Sequence, residues 1–349
     1  MISVFDHPWL GGLFADEEAQ AIWSPERQLS QMLAFEAAWS RALGATGRVD
    51  PDTAERAARV IEGWPADMNL LRGGTANDGL PVPALVRALK AAAGDAAEAV
   101  HVGATSQDVM DSALAMTLQH TLDLLDTRLN RLESALARAD ARFGQTRIMG
   151  RTRMQDALPI DAGTRFVGWA SALPRHRARL AALRPRVQVV QIGGPVGDRR
   201  DIPEAMVAHV AGALGLSAGP CWHTTRDGLV ECAGLMSMIA GSCGKIGQDI
   251  ALMAQMQEIG IAGGGGSSAM PHKQNPIRAE LLVTLARYTA TQLSAIHHAQ
   301  VHEQERSGAA WALEWMILPG LGVAAARSLD VAAAVIEDIE WVGGMPGPQ

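Results

Sequence analysis

Residues 263–276 read Gly-Gly-Gly-Gly-Ser-Ser-Ala-Met-Pro-His-Lys-Gln-Asn-Pro, which carries a serine, a lysine and an asparagine on a run of four glycines. Those residue types suit carbanion chemistry beside a carboxylate. Making or breaking a bond β to a carboxylate passes through a carbanion delocalised into that group, and the resulting doubly negative aci-carboxylate has to be stabilised. Lys273 supplies a point charge and Asn275 a neutral hydrogen-bonding pair. Ser267 can move the proton, provided that a cationic, dehydrated pocket activates its hydroxyl. Consecutive glycines are costly to order and pack nothing, so they read as a hinge, while Pro271 and Pro276 stiffen the tip. Plainer readings exist: a surface linker leading into a helix at Pro276, and a capping hydroxyl at Ser267.

Two further segments carry chemistry: residues 101–111, His-Val-Gly-Ala-Thr-Ser-Gln-Asp-Val-Met-Asp, and residues 150–157, Gly-Arg-Thr-Arg-Met-Gln-Asp-Ala. Thr105 and Ser106 place adjacent hydroxyls just before a long helical pattern, where the first backbone amides complete an anion site. Asp108 suits capping that helix better than catalysis, and Gln107 reads either as a substrate contact or as a cap. His101 is open between a ligand contact, a member of a proton network and a core imidazole. Arg151 and Arg153 add positive charge, with Gln155 before a chain turn at Pro159. Arg226 is read as a substrate-carboxylate contact, against a plainer ion pair with Asp227 or Glu231. Residues 193–198, Gly-Gly-Pro-Val-Gly-Asp, read as a chain reversal rather than a phosphate or carboxylate cradle. Trp311 and Trp315, four apart, read as an apolar stripe rather than a stacking surface for substrate.

Together the three segments resemble the signature regions of the fumarase/aspartase superfamily, whose loop reads Gly-Ser-Ser-x-Met-Pro-x-Lys-x-Asn-Pro; every fixed position is present in residues 266–276. The resemblance implies Ser267 as the proton-transfer residue, with Lys273 and Asn275 beside it. It also implies substrate contacts from His101, Thr105, Ser106, Gln107, Arg151, Arg153, Gln155, Arg226, Ser268 and Met270, with neither a cofactor nor a metal. The chain departs from the family at Arg153, where amine-eliminating members carry a histidine acid. Expelling an amine needs a proton donor, whereas a carboxylate leaving group has a conjugate acid of pKa about 4 and departs unaided. Residues 76–83, 222–227 and 302–315 are similar to the lactonising branch of the superfamily. The implied activity is therefore a cycloisomerisation, in which one carboxylate of a tricarboxylate diene adds across the double bond conjugated to another. The alternatives are an amine-eliminating lyase of the adenylosuccinate type and a non-catalytic paralogue. Arg153 counts against the first, and intact Ser267, Lys273 and Asn275 count against the second.

These residues need long elements to position them. At 349 residues, 48% hydrophobic and 19% charged, the chain can bury a large core and is expected to self-associate. A net charge of −7 with no block of like charge argues against nucleic acid, and the apolar runs argue against secretion and membrane insertion. Cys221, Cys232 and Cys243 lack metal-ligand spacing and read as reduced, buried thiols, hence a cytoplasmic location. One Tyr and five Phe make strands scarce, so the expected fold is all-α, a bundle of long antiparallel helices. The clearest helix spans Asp108 to Phe143, with Leu114, Leu118, Leu122, Leu125, Leu129, Leu132 and Leu136 on one face. Others are expected at Asp227 to Ile261, from Pro276 past Ala299, at Pro25 to Ala45 and at Asp52 to Gly63. Residues 1–100 form an N-terminal helical domain, 101–342 the bundle and 343–349 a tail, and the superfamily's C-terminal helical domain looks absent. The resemblance implies a homotetramer with sites shared between subunits.

Overall fold

The computed structural model describes residues 3–263, 265–266 and 274–344. Short helices α1 (Gly11–Phe14) and α2 (Glu17–Ile22) lead into α3 (Pro25–Ala45), α4 (Pro51–Glu62), α5 (Met68–Asp78) and α6 (Val82–Ala93). The long α7 (Ser106–Phe143) follows, then strands β1 (Arg147–Thr152) and β2 (Gln155–Asp161), and helices α8 (Ala162–Ala170), α9 (Leu173–Val187) and α10 (Glu204–Leu214). The chain continues through α11 (Asp227–Gln255), β3 (Ile259–Ile261), β4 (Gly265–Gly266), β5 (Gln274–Asn275), α12 (Ile277–Ala299), α13 (Ala309–Glu337) and β6 (Ile339–Val342).

Local rules account for most of the helices. Ser24 caps α3 by accepting from the Arg27 amide and Pro25 takes the first helical position; Asp50 and Pro51 repeat the arrangement at α4. On α7, Leu118, Leu122, Leu125, Leu129, Leu132 and Leu136 are buried and Leu114 is half-buried. That stripe meets α13, α9 and α8, while α11, α12 and α13 pack on one another. Each buried leucine is worth about 1.5–3 kcal/mol, so the stripe is what holds α7 in the bundle. α11 and α13 are long and apolar enough to span a membrane by composition, yet 56% of the apolar stretch in each is buried, as core helices require.

The long helices alternate in direction along the chain, but not every packed pair is antiparallel. Arg131 and Arg138, late in α7, meet Glu337 at the end of α13 at 2.8 and 3.0 Å, whereas Asp111 and Glu314, early in the same helices, share one arginine. α7 and α13 therefore run the same way. Between them the chain runs back through α9, whose Arg177 and Arg184 bond Asp126 and Asp123, and again through α12, whose Arg278 bonds Asp338 after α13. A second core surrounds α3 to α6 and takes in Val109, Met110 and Ala113 of α7 together with Met206 and Val210 of α10. A division at residue 100 cuts through this core.

Strands also qualify the all-α expectation: three antiparallel two-stranded pairs occur among the described residues. Residues 150–157 form the tip of the β1–β2 hairpin, where Arg153 and Met154 have φ of 50° and 65°. Both central positions of a two-residue type I′ turn require positive φ. The reversal thus lies at these residues, while Pro159 sits inside β2 opposite Met149. α11 stops at Gln255 instead of reaching Ile261, because Gln257 turns the chain at φ 54° and Ile259–Ile261 pairs with β6.

Candidate active site

At the start of α7, Thr105 occupies the N-cap and its backbone N–H donates to Asp108 Oδ2 at 3.1 Å. Gly194 N–H donates to the same oxygen at 3.1 Å, Gly193 N–H donates to Oδ1 at 2.7 Å, and His223 Nε2 lies 3.0 Å from Oδ1. The capping role of Asp108 is therefore present, with more attached to it. The loop at residues 193–198 is an anion cradle after all, correcting the reading as a simple reversal, and its anion is a carboxylate of the chain itself. Burial works to lower the His223 pKa, but the Asp108 carboxylate and the Cys221 sulfur together outweigh it and raise the imidazole to about 9.

In this chain other groups take the hydrogen bonds of Gln107 and Arg226, both expected as substrate contacts. Gln107 is buried; its amide nitrogen donates to Asp111 Oδ2 at 3.0 Å and to the His223 carbonyl at 2.8 Å, and its oxygen accepts from Arg306 Nε at 3.3 Å. Arg226 is 2% exposed and pairs neither with Asp227 nor with Glu231. Nε donates to Glu314 Oε1 at 2.8 Å, Nη1 to Asp111 Oδ2 at 2.6 Å, and Nη2 to Asp111 Oδ1 at 3.1 Å and to Glu314 Oε2. The Trp222 carbonyl, 3.4 Å from Nη1, takes the last donor. Asp111 also accepts from Trp311 Nε1 at 3.0 Å, and Trp311 packs edge-on against Trp315 with centroids 4.9 Å apart, within the fold as the apolar reading requires. His302 Nε2 lies 3.2 Å from Glu314. His101, at φ 59°, sets Nδ1 2.6 Å from Oε1 of the buried Glu36. Burial opposes protonation of that imidazole, yet Glu36 raises its pKa above the ordinary value.

The opposite end of α7 holds the second motif. Arg151, Arg153 and Met154 line a groove of about 710 Å³ with Lys245, Asp249 and Glu258. Arg151 is paired with Asp156 at 2.9 Å and Glu258 at 2.5 Å, and Lys245 with Asp249 at 2.5 Å. Arg153 stands exposed at the hairpin turn and, among the described residues, has no acidic partner; Gln155 is exposed opposite Thr152. Asn275 lies opposite Gly265 in the β4–β5 pair that closes the glycine-rich loop. A Cβ at Gly265 would stand 2.0 Å from Ile277 Cδ1, so close approach dictates this glycine, independently of any hinge. Ser267, Ser268, Met270 and Lys273 lie outside the described residues.

The expected site residues thus fall into two groups. His101, Thr105, Ser106, Gln107 and Arg226 stand where α7 begins, and Arg151, Arg153 and Gln155 follow its end. The 38 residues of α7 span ~57 Å at 1.5 Å per residue, so one chain does not unite the groups. Sequence reasoning missed Asp111, Glu314 and Glu36 as organisers. Their charged or aromatic partners Arg226, Trp311 and His101 lie far away in the chain, and no local spacing marks them.

The sequence profile of a family described as Lyase matches residues 17–289. The chain is 39% identical over 335 residues to 3-carboxy-cis,cis-muconate cycloisomerase of Pseudomonas aeruginosa, covering 92% of this chain and 73% of that protein. It is 30% identical to N-acetyl-S-(2-succino)cysteine lyase of Enterococcus italicus, covering 97% and 76%. Its fold matches the crystal structure of 3-carboxy-cis,cis-muconate lactonizing enzyme from Pseudomonas putida with a TM-score of 0.91 and 34% identity, covering 96% of this chain and 78% of that one.

Two outcomes follow from the buried charges. Arg226→Met strands two buried carboxylates and should cost about 3–5 kcal/mol of stability, read as a lower denaturation midpoint. A variant of unchanged midpoint and raised KM would return Arg226 to substrate binding. His223 has a folded pKa of about 9 against an ordinary 6.5, so its bond to Asp108 contributes fully below pH 6.5 and is lost as pH rises through about 9. Denaturation midpoints should fall across that window, and this component should vanish in His223→Gln; an equal slope in both proteins would exclude the pair as its source.

Proposed function

The chain belongs to the lyase family of the fumarase/aspartase superfamily, and we propose that within it the protein is a cycloisomerase converting 3-carboxy-cis,cis-muconate to 4-carboxymuconolactone, a step of protocatechuate catabolism. The observation that carries this reading is the likeness, across 92% and 96% of the chain, to two bacterial proteins named for that reaction. One substrate carboxylate attacks the double bond conjugated to another. A C–O bond forms, the π electrons move into the second carboxylate, and the aci-carboxylate takes one proton at carbon. No other reactant is consumed. Ser267 delivers the proton, and Lys273 and Asn275 hold the developing charge. Thr105 and Ser106 at the α7 N-terminus, with Arg151 and Arg153, hold the remaining carboxylates. Arg153 supports this reading over amine elimination, since a guanidinium binds a carboxylate well and is never a proton donor near neutral pH.

The ~57 Å between the two groups supports a shared site. The start of α7 from one subunit meets the hairpin and loop ends of others in a homotetramer. Exposed apolar residues such as Met316 (78%), Leu158 (73%) and Met154 (70%) give such contacts apolar surface to cover.

Assay of carboxymuconate, adenylosuccinate and argininosuccinate in parallel should give turnover of the first alone, with kcat falling ~10²–10⁴-fold in Ser267→Ala and KM nearly unchanged. Efficient fumarate release from either amine adduct would overturn the assignment. Sharing of sites predicts that Ser267→Ala and a Thr105→Val/Ser106→Ala double variant, each poor alone, regain about a quarter of parental activity when co-assembled in equal amounts. Light scattering should give four subunits; a fully active monomer would refute the sharing.

A further inference from the structure

Loop 193–198, segment 221–223 and the start of α7 converge on a thiol. Cys221 Sγ accepts a hydrogen bond from Gln191 Nε2 at 3.3 Å. Gln191 is buried and fixed: its backbone N–H donates to Ser112 Oγ at 3.0 Å, and its side-chain oxygen accepts from the Trp222 N–H at 2.7 Å. His223 is 3% exposed. Its Nε2 is taken by Asp108, while its Nδ1 makes no hydrogen bond of ordinary geometry among the described residues. That nitrogen opens onto the space the sulfur occupies. A Cβ on Gly197 would lie 3.4 Å from both Cys221 Sγ and His223 Nδ1, and one on Gly193 would lie 2.5 Å from Sγ and 2.7 Å from His223 Cε1. The sulfur and the imidazole thus flank the same two glycines, and the carboxylate holds the far side of the imidazole.

We propose that Cys221 is a peroxide-reactive thiol, activated by His223 and Asp108, whose oxidation disturbs the start of α7. In such a series the imidazole takes the thiol proton and the carboxylate holds the resulting imidazolium. Burial works against the Cys221 thiolate, but His223 outweighs it and lowers the thiol below its ordinary value. Cys232 and Cys243 are fully buried and pushed up to about 12, which makes them internal controls. The thiolate attacks one oxygen of hydrogen peroxide, an S–O bond forms as the O–O bond breaks, and the departing hydroxide takes the proton on His223 to leave as water. The sulfur is oxidised by two electrons to a sulfenic acid. An added dithiol reverses this, first displacing water to form a mixed disulfide and then closing its own disulfide to release the thiol. The new oxygen presses on the Gly193 loop, whose amides hold Asp108 and thereby the Thr105–Ser106 cap. The effect on turnover rests on the carboxylate-binding role proposed for those hydroxyls, whereas the oxidation itself does not.

Brief exposure of the intact protein to hydrogen peroxide with dimedone should give one adduct per chain by mass, mapped to Cys221 and absent from Cys221→Ser. No adduct, or one on Cys232 or Cys243, overturns the proposal. The adduct should form ~10-fold or more slowly in a folded His223→Gln variant, and an unchanged rate overturns activation by the imidazole. Without dimedone, carboxymuconate turnover should fall as oxidation proceeds and return with dithiothreitol, and Cys221→Ser should keep its turnover under peroxide. Equal losses in parent and variant overturn the link to α7. If carboxymuconate is not a substrate at all, the functional reading fails while the mass shift still decides the thiol.

Discussion

A buried arginine sets the frame of this protein. Arg226 precedes α11, Asp111 lies one turn into α7 and Glu314 one turn into α13, so a single guanidinium ties the starts of three long helices. Desolvating these charges is costly, and the cost is offset only because the guanidinium donors and both carboxylates find partners. Once that geometry is fixed, the axial positions of the helices are fixed with it. The far ends then fall where helix length puts them: Glu337 beside Arg131 and Arg138, and Glu258 beside Arg151.

The same logic explains why apparent substrate sites are already occupied. The amides of Gly193 and Gly194 hold Asp108, and the guanidinium of Arg226 holds Asp111 and Glu314. Internal carboxylates preorganise these cationic and amide groups, and a preorganised site loses less to reorganisation when charge develops in the reaction. Arg153 is different. It projects from a turn with no acidic partner among the described residues, at the position where the chain departs from the amine-eliminating pattern.

Helix length keeps the two groups of residues apart within one chain. A straight helix of 38 residues separates the Thr105–Ser106 hydroxyls from the Arg153 turn by several nanometres. Carboxylates on a small diene cannot bridge that gap.

The amino-acid sequence by itself determined the helices whose apolar period is local, above all α7 with its leucine stripe, and the caps at Ser24 and Asp50. It also determined the family, through three motifs whose order along the chain is visible without coordinates. What only the tertiary structure decided is which charged groups meet. Arg226 and Asp111 are 115 residues apart, and Arg226 and Glu314 are 88 apart. Nearby Asp227 and Glu231 were equally plausible partners by charge and spacing. The Arg153–Met154 turn was hidden for a related reason: neither residue is a usual left-handed turn former, and pairing of β1 with β2 imposes the conformation. Local periodicity records which face of a helix is apolar, whereas the pairing of buried charges depends on where whole helices lie, and that is set by packing across the molecule.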